Sequence, residues 1–152
     1  ISVDLQTLER QVVSGAGKGS GISLSEQAVG LLATQTEIIV IDRNGMVVGI
    51  DPTSGDRRQV AQLDALAGGP TGGAWLSGKA FAIVTLGAVF VLDQEGGGLQ
   101  TMTGPGRGVG PGLLYGCGIA SDSEGRVYVL DRDLRAVIQV QPLTGDRIII
   151  SR

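Results

Sequence analysis

The sequence predicts an all-β fold: a segment of a β-propeller with about three and a half four-stranded blades, an incomplete arc unless more chain or another subunit completes it. Three observations predict it. The first is an internal repeat. The run S-G-A-G-K-G-S-G from Ser14 to Gly21 and the run T-G-P-G-R-G-V-G from Thr103 to Gly110 align glycine on glycine, 89 positions apart. The same shift carries Ile39-Val40-Ile41-Asp42-Arg43 onto Tyr128-Val129-Leu130-Asp131-Arg132, and a shift of 90 carries D-P-T-S-G-D-R, ending at Arg57, onto Q-P-L-T-G-D-R, ending at Arg147. Half of that shift recurs between Val3–Thr7 and Ile50–Ser54, with Val91-Leu92-Asp93 a weaker third copy, so the unit is roughly 45 residues, the size of one blade. The second observation is that β-branched residues fill short runs separated by turn chemistry such as Asn44-Gly45, Ser54-Gly55 and Thr144-Gly145. The third is the 26 glycines without a Gly-X-Y period, which mark many tight turns and exclude collagen.

The predicted elements follow in order. Segments 1–5 and 10–14 match the third and fourth strands of a blade, so residues 1–21 form a half blade. The first complete blade, 22–67, offers strands at 28–34, 37–42, 46–51 and 57–63. The second, 68–110, offers 73–77, 81–86, 88–93 and 98–103. The third, 111–152, offers 117–121, 126–131, 136–141 and 146–151. Glycine interrupts every long window that could be helical, and only 63–67 could hold a short helical turn. The chain opens at Ile1 inside a predicted strand with no initiator Met, which predicts a processed protein or a segment of a longer one.

Composition excludes several function classes. The net charge is −3 with no basic patch to neutralise phosphates, so no nucleic-acid partner is expected. No apolar run reaches the roughly 20 residues of a membrane span. One cysteine, Cys117, cannot form an internal disulfide or a paired zinc site. Without histidine there is no Ser-His-Asp triad, no Cys-His pair and no imidazole acid–base catalyst.

The stretch from Gly118 to Ser151, G-I-A-x-D-x-x-G-x-x-Y-V-x-D followed by V-I-x-V-x-P-x-T-G-D-R, resembles the NHL-repeat and gluconolactonase-like bacterial propellers. The match extends to Glu37–Gln59 and fades over 70–100. The resemblance implies a six-bladed propeller fold and an exported location, extracellular or periplasmic. In gluconolactonase-like members it also implies a divalent ion, typically calcium, held in the channel by carboxylate and amide side chains. Asn44 is the only asparagine and lies in an Asn-Gly turn, so that ligand set has no placement on this sequence.

Six residues form the candidate ligand-binding set. Asp42-Arg43 and Asp131-Arg132 follow the second strands of their blades. Lys18 and Arg107 sit in the glycine-rich runs. In a propeller these loops share one face, so the six would ring the channel mouth and could take an anionic ligand or, through the aspartates, a cation. The competing reading is structural: Asp caps a repeated turn, Arg pairs locally, and the glycine runs are blade-to-blade connections that need positive φ. Asp56 and Asp146 read as hairpin residues, Cys117 as a buried small hydrophobe in an inner strand, and Trp75 and Tyr115 as core or channel lining. The preferred function is a structural or interaction module, without catalysis or cofactor in this segment, that presents loops to a protein partner or forms a homo-oligomer. The alternatives are a calcium-dependent lactonase-like hydrolase, and a small-ligand or carbohydrate binder at the channel mouth.

Overall fold

A computed structural model describes residues 1–34, 36–63, 68–77, 80–93 and 98–151. Among these the chain forms strands and no helix. An N-terminal hairpin of β1 (Ser2–Val3) and β2 (Arg10–Gln11) precedes three antiparallel sheets of four strands each. The first blade is β3 (Ala28–Ala33), β4 (Ile38–Asp42), β5 (Met46–Ile50) and β6 (Arg57–Gln62). The second is β7 (Gly72–Ser77), β8 (Ala80–Val84), β9 (Val89–Asp93) and β10 (Gly98–Thr103). The third is β11 (Gly116–Ser121), β12 (Val127–Asp131), β13 (Ala136–Val140) and β14 (Arg147–Ser151). Each sheet is a simple meander in chain order, and the sheets do not close on one another. The short helical turn expected at 63–67 falls at 64–67 outside the described residues.

The blades stand side by side through their innermost strands, with β7 contacting both β3 and β11. Alternation places one side chain set on each face. Val127, Val129 and Asp131 of β12 are buried, while Tyr128 and Leu130 point to the other face. The cores therefore lie between blades. Ile39, Ile41 and Val47 of the first blade meet Phe81, Ile83 and Leu92 of the second. Ala82, Val84, Val89 and Met102 of the second meet Val127, Val129, Ile138 and Val140 of the third. Fully burying one such side chain is worth roughly 1.5–3 kcal/mol, so these two seams supply most of the cohesion of the arc.

The two seams differ in construction. Among the described residues, the first and second blades meet strand against strand. The first and third blades instead carry an extra strip of chain on the face toward their predecessor. Ile22 and Leu24 pack against Val40, Val48 and Ile50, and Leu113 joins the seam between the second and third blades. The period of 89 residues is thus a pair of unlike blades.

Candidate functional site

The glycine-rich connections build the most elaborate polar arrangement in the chain, and they build it twice. After β10 the chain turns at Gly104, where its N–H and carbonyl exchange hydrogen bonds with Arg107. Gly106, Gly108 and Gly110 then take positive φ. This run lies on the hairpin that joins β13 to β14: the Arg147 N–H donates to the Val109 carbonyl at 2.8 Å, and the Asp146 carboxylate accepts from the Val109 N–H at 2.9 Å. Arg147, only 8 % exposed, threads the junction. Its Nε donates to the Pro111 carbonyl at 2.6 Å, and its terminal nitrogen to the Arg107 carbonyl at 3.0 Å and to the Thr103 hydroxyl. Thr103 in turn donates to the Gly145 carbonyl at 2.6 Å.

The N-terminal copy repeats the arginine and backbone bonds at equivalent positions. Arg57 donates from Nε to the Ile22 carbonyl at 2.6 Å and from its terminal nitrogen to the Ser14 hydroxyl at 2.6 Å and the Lys18 carbonyl at 3.3 Å. Ser14 donates to the Gly55 carbonyl, and Asp56 accepts from the Ser20 N–H and hydroxyl. These donors pull the Asp56 carboxyl below its ordinary range, the Ser20 N–H having the largest effect. Asp146 is held below its range by the Val109 N–H and then the Thr144 hydroxyl. The arginines are the residues that sequence reasoning missed. The signal was present: G-D-R recurs at 90 in both hairpins, but a turn needs only Gly-Asp, and the arginine had no role until its distant acceptors were known.

Asp42 and Asp131 end the second strands of their blades. Both are buried. Asp42 accepts from the Met46 N–H at 2.8 Å and so closes the Asn-Gly turn. Asp131 accepts four backbone N–H bonds: Leu114 and Tyr115 on one oxygen, Asp133 and Leu134 on the other, at 2.7–3.1 Å. Burial alone would raise its carboxyl, but those donors, Leu134 and Leu114 foremost, outweigh it and hold the group below the usual range. Opposite each aspartate the inner strand carries a bulge, between Ala28 and Gly30 and between Gly116 and Gly118.

Asp131 gives a pH prediction. A carboxylate with a depressed folded-state pKa stabilises above its unfolded value and loses that contribution as pH falls through the folded value. Asp131→Asn is expected to cost about 2–3 kcal/mol at pH 7, because its oxygen can still accept one pair of N–H bonds while its NH2 faces the other pair donor to donor. The gap between the two proteins narrows as pH drops below about 4, the unfolded carboxylate range. Urea unfolding at pH 7 and pH 3 checks this; an equal gap at both would contradict it.

Arg43 is exposed, and its N–H bonds the Gln27 carbonyl. Arg132 pairs with Asp133 at 3.0 Å and lies 3.7 Å over the Tyr115 ring. Lys18 and Arg107 do not join these turns. Their stems lie over Gly55 and Gly145, in the hairpins between third and fourth strands. Asp42-Arg43 and Asp131-Arg132 occupy the other ends of those third strands. The expected shared ring therefore splits into two sets, because the connection first rests on the next blade's hairpin and only then runs along the blade to its inner strand.

On the third blade, Asp122 gathers the Arg126 guanidinium and N–H, the Tyr128 hydroxyl and the Glu124 N–H. Burial opposes ionisation there, but the donors prevail and bring the carboxyl to about 2. Trp75 meets Phe81 edge to face at 5.6 Å, inside the seam between the first and second blades. Cys117 corrects the expectation of burial. It is the unpaired residue of the β11 bulge and is exposed, with Sγ 3.5 Å from the Leu130 carbonyl. Among the described residues no group of three or more carboxylate and thiol side chains is placed to hold a metal ion.

No protein-family model matches the chain. No curated protein matches it in sequence. Solved structures do match, and they are β-propeller proteins. The chain is similar to a structure of a nidogen/laminin complex, with 17 % identity over 82 % of this chain and 48 % of that one, at a TM-score of 0.64. It is similar to virginiamycin B lyase from Staphylococcus aureus, with 14 % identity over 82 % of this chain and 41 % of that one, at 0.62. It is also similar to YCF48 bound to a D1 peptide, with 11 % identity over 82 % and 39 %, at 0.61. The chain spans about half or less of the length of these proteins. At such identities the likeness shows the fold, and the fold is that of a β-propeller module.

Proposed function

We propose that the chain is a non-catalytic β-propeller interaction module of the NHL-like kind that works outside the cytoplasm and presents its second-to-third-strand turns to a protein partner. One observation carries the reading. The acidic side chains a channel-mouth site would need are committed to the backbone: Asp131 to four N–H groups, and Asp42 to the Met46 N–H. What the turns leave outward is cationic on balance, Arg43 on one and Arg132, Asp133 and Arg135 on the other, which favours an acidic protein surface over a divalent cation. The aromatic rings are likewise engaged, Trp75 with Phe81 and Tyr115 beneath Arg132, which argues against sugar stacking. Two of the similar structures are complexes, one of nidogen with laminin and one of YCF48 with a peptide, which supports partner binding on this fold.

The test places a photo-crosslinking residue at position 43 or 132 and, in parallel, titrates the chain with calcium and small lactones. The reading expects a discrete crosslinked protein, lost in the Arg43→Glu/Arg132→Glu double variant, with no calcium-dependent turnover. Calcium-dependent lactone hydrolysis, abolished by Asp131→Asn, would replace it with the hydrolase reading.

A further inference from the structure

The trailing face of the third blade is built as a blade-to-blade seam, and large apolar side chains on it are exposed. Leu130, Ile148 and Ile150 are 49 %, 57 % and 48 % exposed. Their register is that of a single face: Leu130 opposes Val137, and Gln139 opposes Ile148. The bulge between Val137 and Ile138 brings Ile150 to the same side. In the first blade the counterparts of Leu130, Ile148 and Ile150 are Ile41, Arg58 and Val60: Ile41, at 0 % exposure, and Val60 lie in the seam with Phe81, Ile83 and Leu92 of the second blade, while Arg58 stays exposed and pairs with Glu37. The repeat thus states what such a face receives: a blade of the second kind.

A second group of exposed apolar residues lies at the opposite end of the arc. Ile1, Val3, Leu5 and Leu8 of the N-terminal hairpin are between 48 % and 88 % exposed. This hairpin is the outer half of a blade of the second kind. Val3 stands 89 residues before Leu92, and Ser14 makes to Gly55 and Arg57 the bonds that Thr103 makes to Gly145 and Arg147. Val3 therefore occupies the position whose counterpart, Leu92, packs on the first blade's trailing face.

We infer that this face docks the N-terminal hairpin of a second copy of the chain, head to tail, continuing the seam pattern across subunits. The inference rests on the interaction-module reading and gives that module its first partner. Such a contact is heterologous, so two arcs either close into a ring or continue as a filament. Each copy occupies four blade positions, and two copies reach the upper end of the usual propeller range of roughly 4–8 blades.

Native mass spectrometry and light scattering test the inference with two variants, Ile150→Asp on the tail and Val3→Asp on the head. Both sites are exposed, so folding is checked by unchanged far-UV circular dichroism. The wild-type chain is expected at twice 15.6 kDa or a higher multiple, and each variant alone at 15.6 kDa, an affinity loss of at least thirtyfold. Mixing the two variants restores one intact junction and yields a one-to-one heterodimer. Wild-type monomer at every concentration overturns the proposal, whatever the crosslinking and calcium experiments show for the module reading. Dimers of Val3→Asp alone overturn it too, because they require a tail-to-tail contact.

Discussion

Gly108→Ala is expected to unfold the third blade, while Gly106→Ala, the same chemical change two residues away, leaves a folded protein. Both glycines hold positive φ, +78° and +79°. An alanine in that region costs about 1–2 kcal/mol from backbone sterics. For Gly106 that is the whole cost, since a Cβ there meets nothing within 4 Å. At Gly108 a Cβ would sit 1.9 Å from the Gly145 carbonyl oxygen and 2.2 Å from its carbon. Backbone cannot rotate away as a side chain can. Relief requires lifting the loop from the hairpin, which breaks the Arg147–Val109 backbone bond, the Asp146 bond and the arginine's contacts together. The expected loss is ~4 kcal/mol or more, in the small class of exceptional single substitutions and comparable with the stability of a modest domain. Gly19→Ala would bring its Cβ to the same 1.9 Å from the Gly55 carbonyl oxygen, yet the strands that it would release, β1 and β2, are exposed already. It is expected to free the hairpin and spare the blades. Urea unfolding of the three variants, with solubility recorded, distinguishes these outcomes; equal losses at 106 and 108 would show that close approach to the hairpin is not what these glycines serve.

The second large effect is at Arg147. Its removal deletes a buried cation and strands the acceptors that it satisfied: Pro111, Arg107 and the Thr103 hydroxyl. Hydrogen bonds to a charged group contribute about 1.5–3 kcal/mol each, and unpaired buried acceptors add their own cost, so Arg147→Ala is expected to lose about 3–4 kcal/mol. Arg147→Lys keeps the charge but not the planar fork that reaches acceptors on two sides, and should recover less than half of that. Arg57→Ala removes the equivalent bonds from a half-buried site that anchors only an exposed hairpin, and about 1–2 kcal/mol is expected. Chemical denaturation ranks the three. A ranking with Arg57 above Arg147 would mean that the two copies do not share the role that their geometry gives them.

The blades were legible because their signals are local. Alternation, β-branched runs and Asn-Gly or Thr-Gly turns fix a strand from its own residues, and in the three complete blades the predicted strand ends lie within a residue or two of those observed. The all-β architecture and the four-stranded grouping follow from the same signals. The polar arrangement was less legible because it is long-range. Arg147 and its acceptors Thr103 and Arg107 are 40 or more residues apart, and no spacing rule links them. The shared ring failed for a related reason: topology says which end of a strand a loop leaves, not how far a glycine-rich connection travels before it enters the next blade. Cys117 was misjudged because an inner strand suggests burial, whereas a bulge turns its extra residue outward. The alternation of two blade types was written in the 89-residue shift, but its meaning needed the strips at Ile22–Leu24 and Leu113 to be seen against their seams.

The repeated polar residues join blade to blade. Native-state hydrogen exchange tests this most directly, at the amides of Arg147 and Val109, the two that the third blade's latch closes. Both are expected to exchange in wild type as slowly as the strand amides of β13, and in Arg147→Ala to accelerate together with β11 and β14, while β4 and β5 keep their protection. Rapid exchange of Arg147 and Val109 in the wild-type chain, with the sheets still protected, would contradict the account.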